Sequence, residues 1–155
     1  EVKCDALTNE AELCVILERD QDSQVIAYSG KAHADGTEHS LLFAIARAIC
    51  LAVNLTIDPT HAFFVEDVSV ISVGQKKAVA VLAGLTTPRK SHETLLGAAL
   101  NRREVREACV RATLDAINRR IEVLPQRSDR VDRGVEQEST SDEQELTGDS
   151  EVQSE

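Results

Sequence analysis

At 155 residues the chain has the length for one domain with a real core and not for two, and its 42% apolar content is ordinary for such a domain. No apolar run reaches the roughly 18 residues of a membrane span, and four aromatic side chains, Tyr28, Phe43, Phe63 and Phe64, leave little for stacking on bases. The formal charge of −10 belongs mostly to one end: residues 129–155 carry ten acidic side chains against Arg130 and Arg133, a net of −8, so the rest of the chain is near neutral and its partner is not specified by charge.

In chain order, Val2 to Leu7 is a candidate first strand. Ala11 to Leu17 and Gln24 to Tyr28 are apolar stretches separated by the polar run from Arg19 to Ser23, the pattern of a hairpin. After Gly30 a loop is expected through Thr37, in which Asp35 and Glu38 have capping-box spacing, and an apolar run from Leu41 to Asn54 predicts the first helix. Phe63 to Val73 is strand-like, with its alternation changing phase between Val70 and Ile71 as a bulge requires. Gly74 to Lys77 turns the chain into a strand over Ala78 to Leu85. A turn at Pro88-Arg89-Lys90 and a strand over His92 to Leu100 follow. Asn101 and Glu104 again have cap spacing, before a helix that runs to Ile121. From Pro125 the composition is Asp, Glu, Ser and Gln with few apolar residues, which predicts a disordered acidic tail.

The two halves repeat. Arg47-Ala48, Ala52, Val53 and Asn54 lie over Arg111-Ala112, Ala116, Ile117 and Asn118 at an offset of 64, and Gly30 lies over Gly97 at 67. The expected fold is therefore α+β, a duplicated βββα or ββα unit in which an antiparallel sheet is packed by two helices. Repeat one covers about 1–57 and repeat two about 63–124.

The helices differ in character. In the second, Val105, Cys109, Ala112, Ala116 and Ile117 share a wide apolar arc opposite Glu104, Glu107, Arg111, Asp115 and Arg119. The first carries only Arg47 as a charge between Leu41 and Val53, with apolar residues on nearly every side. A helix of that kind is buried on two sides, and a homodimer interface at Leu42, Ile45, Ile49 and Val53 is the expected second cover, unless the second helix supplies it.

Val65 to Val70 in a strand and Val110-Arg111-Ala112-Thr113-Leu114-Asp115-Ala116-Ile117-Asn118-Arg119 in a helix, within this order of elements, resemble the C-terminal regulatory domain of 2-isopropylmalate synthase and citramalate synthase. The resemblance spans about residues 11–124. It implies a duplicated βββα domain that dimerises and binds an end-product amino acid, and it implies no synthase activity, because that family's catalytic barrel and metal motif are not in this chain.

Beside that resemblance the residues carry little chemistry. His33, Asp35, Glu38 and His39 match no zinc spacing, and a polar loop entering a helix explains them. Cys4, Cys14, Cys50 and Cys109 form no C-x-x-C pair and follow no secretory signal, the pattern of reduced thiols in a cytoplasmic protein. The absence of Met, a starting one included, points to a piece of a longer chain. No nucleophile elbow, phosphate loop or dinucleotide turn is present, so neither catalytic residues nor a cofactor or metal is expected. Arg102, Arg103 and Arg106 at a helix start invite an anion, a nucleic acid being the weaker form of that reading. The expected function is a regulatory or small-molecule-sensing domain. It would hold a small anionic or zwitterionic ligand with the loops before the helices, at Gly30, Asp35, Gly36, Thr37, Gly97, Asn101 and Arg102. A ligand-free assembly module is the alternative.

Overall fold

The computed structural model describes residues 2–5, 10–21, 24–88 and 91–127. Strands β1 (Val2–Asp5), β2 (Glu10–Gln21) and β3 (Gln24–Ala34) precede helix α1 (Glu38–Asn54). Strands β4 (Ala62–Val73), β5 (Lys76–Thr86) and β6 (His92–Leu100) precede helix α2 (Val105–Ile121). The α+β class and the duplicated βββα order are as the periodicity predicts. The sheet is not single, however: each unit forms its own antiparallel three-stranded sheet, ordered β1-β2-β3 and β4-β5-β6. The predicted acidic tail lies outside the described residues from 128 onward, and the expected turn at 88–90 is described only as far as Pro88.

Alternation fixes which face of each sheet is covered. In β2, Ala11 and Leu13 are buried and Val15 and Leu17 half-buried. On β3 the partners on the same face are Gly30, Ala32 and Ala34. In β5 the inward set is Val79, Val81, Ala83 and Leu85, all essentially inaccessible. α1 packs on β2 and β3 of its own sheet and also on β4 of the other, α2 packs on β5 and β6, and the helices touch each other. At that helix contact the Cys109 thiol donates to the Leu42 carbonyl at 3.3 Å.

The structure relocates several expected features. Gly30 and Gly97 lie inside β3 and β6, not in loops. A Cβ on Gly30 would overlap the Ala48 carbonyl oxygen and sit 2.8 Å from the Ala52 nitrogen, and one on Gly97 would overlap the corresponding atoms of Ala112 and Ala116. The glycines are there because the helix backbone rests directly on the strand. The bulge falls between Val65 and Asp67, one stretch earlier than the phase change at Val70, and Glu66 is the extra residue. The cap of α1 is Thr37, whose hydroxyl accepts from the Ser40 amide at 3.2 Å, and not Asp35. α2 starts after Glu104, which makes no side-chain cap bond, so Asn101 is not its cap either. Residues 125–127, expected to belong to the tail, pair with the linker after α1: Ile57 bridges Gln126, and the Asp58 amide donates to the Pro125 carbonyl at 2.9 Å.

The two-sided burial of α1 is real, but its cover is internal. Leu42, Ile45, Ile49 and Val53, expected at a dimer interface, are at most 5% exposed within the single chain, because β4 and α2 close the side that β2 and β3 leave open. Asn54 fastens this arrangement at one end, donating to the Phe63 carbonyl at 2.9 Å and accepting from the Phe63 amide at 2.8 Å.

Candidate functional site

The 64-residue offset, carried along the helices beyond the segment that first shows it, sets Phe43, Arg47 and Leu51 of α1 over Glu107, Arg111 and Asp115 of α2. These triplets recur every fourth residue and therefore form one stripe on each helix. On α2 the stripe reaches the C-terminal end of the free edge of β6. Arg111 Nη2 donates to the Leu100 carbonyl at 2.9 Å, Asp115 Oδ2 accepts from the Ala98 amide at 3.2 Å, and Glu107 Oε1 stands 3.8 Å from Arg111 Nε. At that end of the strand one amide and one carbonyl of the edge are taken by side chains.

On α1 the same stripe lines a groove. Phe43, Arg47, Cys50 and Leu51 face Phe63, Phe64 and Val65 of β4 around a volume of about 390 Å³, within the roughly 300–1,000 Å³ of small-molecule sites. Phe43 and Leu51 replace the two carboxylates of α2, so Arg47 has neither an ion pair nor a hydrogen bond among the described residues and is exposed to solvent. The Cys50 thiol, pushed up to about 12 by burial, stays protonated and counts as apolar wall. The result is an apolar groove with one unpaired guanidinium, a donor fork suited to a carboxylate.

Phe64 belongs to two surfaces. Its ring lies across Gly84, where a Cβ would overlap it, and meets the His92 ring edge-on at a centroid distance of 5.3 Å. The bulge turns Glu66 toward the same place, where Glu66 Oε1 stands 2.6 Å from His92 Nε2.

The residues expected to hold a ligand do not come together. Gly30 and Gly97 are covered by helix backbone. Asp35 and Thr37 are engaged with each other and with the start of α1: Asp35 Oδ1 accepts from the Thr37 amide at 3.1 Å and the Thr37 hydroxyl at 2.8 Å, and its own amide donates to Ser40 Oγ at 3.1 Å. Bonding to the Thr37 amide, then to the Thr37 and Ser40 side chains, holds the Asp35 carboxyl below the usual aspartate range. Gly36 supplies the positive φ of 84° that this turn needs. Asn101 and Arg102 lie elsewhere, with Gln75, Lys76, Lys77 and Leu100 around a cleft of about 700 Å³. His33 points outward from β3, while His39 Nε2 is 3.8 Å from Asp67 Oδ1. Among the described residues no three His, Cys, Asp or Glu side chains gather as a metal ion would require, and no helix is long and apolar enough to cross a membrane.

Sequence reasoning missed Phe43, Leu51 and Phe64 as site residues. The signal for the first two was present in the helix alignment, one turn to either side of Arg47. Comparison with known protein families, characterised proteins and solved structures finds no match to this chain.

Proposed function

We propose that the chain is a non-catalytic, small-molecule-sensing regulatory domain that works as a dimer, and that the groove between α1 and β4 takes a small carboxylate with an apolar body. The observation that carries this reading is the contrast between Arg47 and Arg111. At the same place in the repeat one guanidinium bonds the Leu100 carbonyl and stands 3.8 Å from Glu107, and the other, unpaired among the described residues, stands at an apolar groove. A carboxylate held by Arg47 gains a charge-assisted, potentially bidentate bond, while Phe43, Leu51, Phe63 and Val65 take the hydrocarbon part. The groove lies between an element of the first unit and one of the second, so a bound molecule favours the arrangement of units that brings both walls together. Phe64, shared between the groove and the outer face of the second sheet, is the side chain through which occupancy reaches that face.

The test is calorimetric titration with 3-methylbutanoate and its neutral amide. The acid binds and raises the melting temperature, and the amide binds about tenfold or more weakly, since a hydrogen bond to a charged group is worth about 1.5–3 kcal/mol. Phe43→Glu restores to Arg47 the carboxylate that Arg111 has, four residues back, and abolishes acid binding without loss of the fold. Equal binding of acid and amide, or of wild type and Phe43→Glu, would refute the groove as a carboxylate site.

A second reading, an assembly module without a ligand, draws support from the uncharged apolar middle of the second sheet's outer face.

A further inference from the structure

We infer that the cleft between the β4–β5 turn and the entry to α2 seats the acidic C-terminal segment of the same chain, residues 136–155. The inference goes beyond the groove beside Arg47 and does not depend on it.

The cleft has a volume of about 700 Å³ and is lined by Lys76, Lys77 and Arg102 with Gln75, Leu100 and Asn101, and by no acidic residue. The Asn101 amide donates to the Lys77 carbonyl at 2.9 Å, which fixes the loop that carries Arg102 against the two lysines. None of the three cations has an ion pair among the described residues. Arg103 and Arg106 adjoin them at the start of α2, where the positive end of the helix dipole adds to their field. Of the two acids at that start, Glu104 and Glu107, the second stands 3.8 Å from Arg111. Cations gathered in this way repel one another until an anion joins them.

The internal repeat provides the control. Val15 pairs with Gly30 in the first sheet as Val81 pairs with Gly97 in the second. Five residues back from the valine stands Glu10 in the first unit and Lys76 in the second, and five residues on from the glycine stand Asp35 and Arg102. The same end of the same framework is acidic in one unit and basic in the other, so a polyanion is turned away from the first and drawn to the second.

The chain carries such a polyanion at the right distance. In residues 128–135 Asp129 and Asp132 balance Arg130 and Arg133, whereas residues 136–155 hold eight acidic side chains and no basic one. Gln126 Nε2 donates to the Ile121 carbonyl at 3.2 Å, so the described chain ends beside the last turn of α2, and the cleft lies at the first. The 17 residues of α2 measure about 25 Å at a rise of about 1.5 Å each. The neutral stretch of eight residues reaches about 26 Å when extended, at about 3.3 Å each. It is long enough to run back along the helix, and the acids begin where the cations are. A tether this short holds them there at an effective concentration on the order of millimolar, which favours contact within one chain over contact between chains.

The experiment is carbodiimide coupling of the full chain, which joins a lysine amine to a carboxylate only where the two touch, read by peptide mass spectrometry on an equal mixture of 15N-labelled and unlabelled protein. Lys31, 3.6 Å from Glu12, is the internal standard. Lys76 and Lys77 are expected to couple to acids of residues 136–155 in products of a single isotope, and Lys31 to couple to Glu12 and not to that segment. At about 1 M salt, where screening acts within about 3 Å, the coupling to the segment is expected to vanish. Arg102→Glu together with Arg103→Glu, both at exposed positions, leaves the two lysines in place and is expected to lower their coupling to the segment about tenfold with the Lys31 product unchanged. Absence of coupling at Lys76 and Lys77, equal coupling of the segment to Lys31, indifference to the arginine reversals, or products of mixed isotope would each overturn the inference. None of these outcomes bears on the groove, whose lining residues belong to other elements.

Discussion

In the second unit Glu107, Arg111 and Asp115 bond the end of the free edge of β6, while at the same turns of α1 stand Phe43, Arg47 and Leu51, which border a groove. In both units, by contrast, the helix backbone sits on a strand glycine in the same way, Ala48 and Ala52 over Gly30, Ala112 and Ala116 over Gly97. What the units share is the contact that brings helix and sheet together. What they do not share lies on the stripe beside that contact, where a side chain can change without moving the backbone. Duplication supplies two copies of a framework, and here the helix of the second copy turns its polar stripe onto its own sheet while the helix of the first leaves Arg47 beside an apolar groove.

The largest expected effect tests the shared part. Gly30→Ala and Gly97→Ala each force a methyl group into helix backbone that has no rotamer to yield, and each is expected to cost about 3 kcal/mol or more. Gly84→Ala makes the sharper contrast, because its methyl meets only the end of the Phe64 side chain, which can swing away, at a cost of about 1–2 kcal/mol. Urea unfolding of the three variants measures this. Tolerance of alanine at either Gly30 or Gly97 would break the equivalence of the two contacts.

Much of this framework is legible in the sequence, because a helix and a strand bury apolar residues at different periods and α1, β5 and α2 are strongly patterned. β3 reads short for a physical reason. Past Tyr28 its inward residues are Gly30, Ala32 and Ala34, too small to announce a strand, between the outward Ser29, Lys31 and His33. The apolar circumference of α1 correctly demands a second cover, yet a linear pattern does not say whether the cover is a partner or β4. The apolar phase slips at Val70, but Glu66 bulges where its side chain finds His92, a pairing from 26 residues away. The groove depends on Arg47 having no partner among the described residues, visible only when the repeat is read as a comparison between its halves.

A smaller effect separates the helix starts. Thr37→Ala removes a hydroxyl that accepts from Ser40 and is expected to cost about 1 kcal/mol. Glu104→Ala, at the corresponding position of α2, removes no cap bond and is expected to change stability by less than about 0.5 kcal/mol. Replacing Glu104 by Ser sharpens the comparison by giving α2 the cap it lacks, and thermal unfolding of the three proteins should order them Thr37→Ala, Glu104→Ala, Glu104→Ser from least to most stable.

The smallest effect is a pH dependence confined to the surroundings of α1. Asp35 before the helix and Asp58 after it both hold their carboxyls below the usual aspartate range, Asp35 chiefly through the Thr37 amide and Asp58 chiefly through the Thr60 hydroxyl. A carboxyl depressed by folding stabilises the native state above its ordinary value of about 3.9, and that contribution fades as pH falls through this value toward the lower folded one. Acid should therefore loosen the turn before α1 and the linker after it ahead of the core. Hydrogen exchange offers the direct reading, at the Thr37 amide, which donates to Asp35, and the Thr60 amide, which donates to Asp58 at 2.9 Å. Their protection, corrected for the intrinsic rate, is expected to fall between about pH 5 and pH 3 while that of the Val81 amide at the centre of the second sheet holds. In Asp35→Asn the Thr37 step should disappear and the Thr60 step remain. Loss of protection at all three amides together would mean that acid acts on the whole fold and that the two units do not differ in this respect.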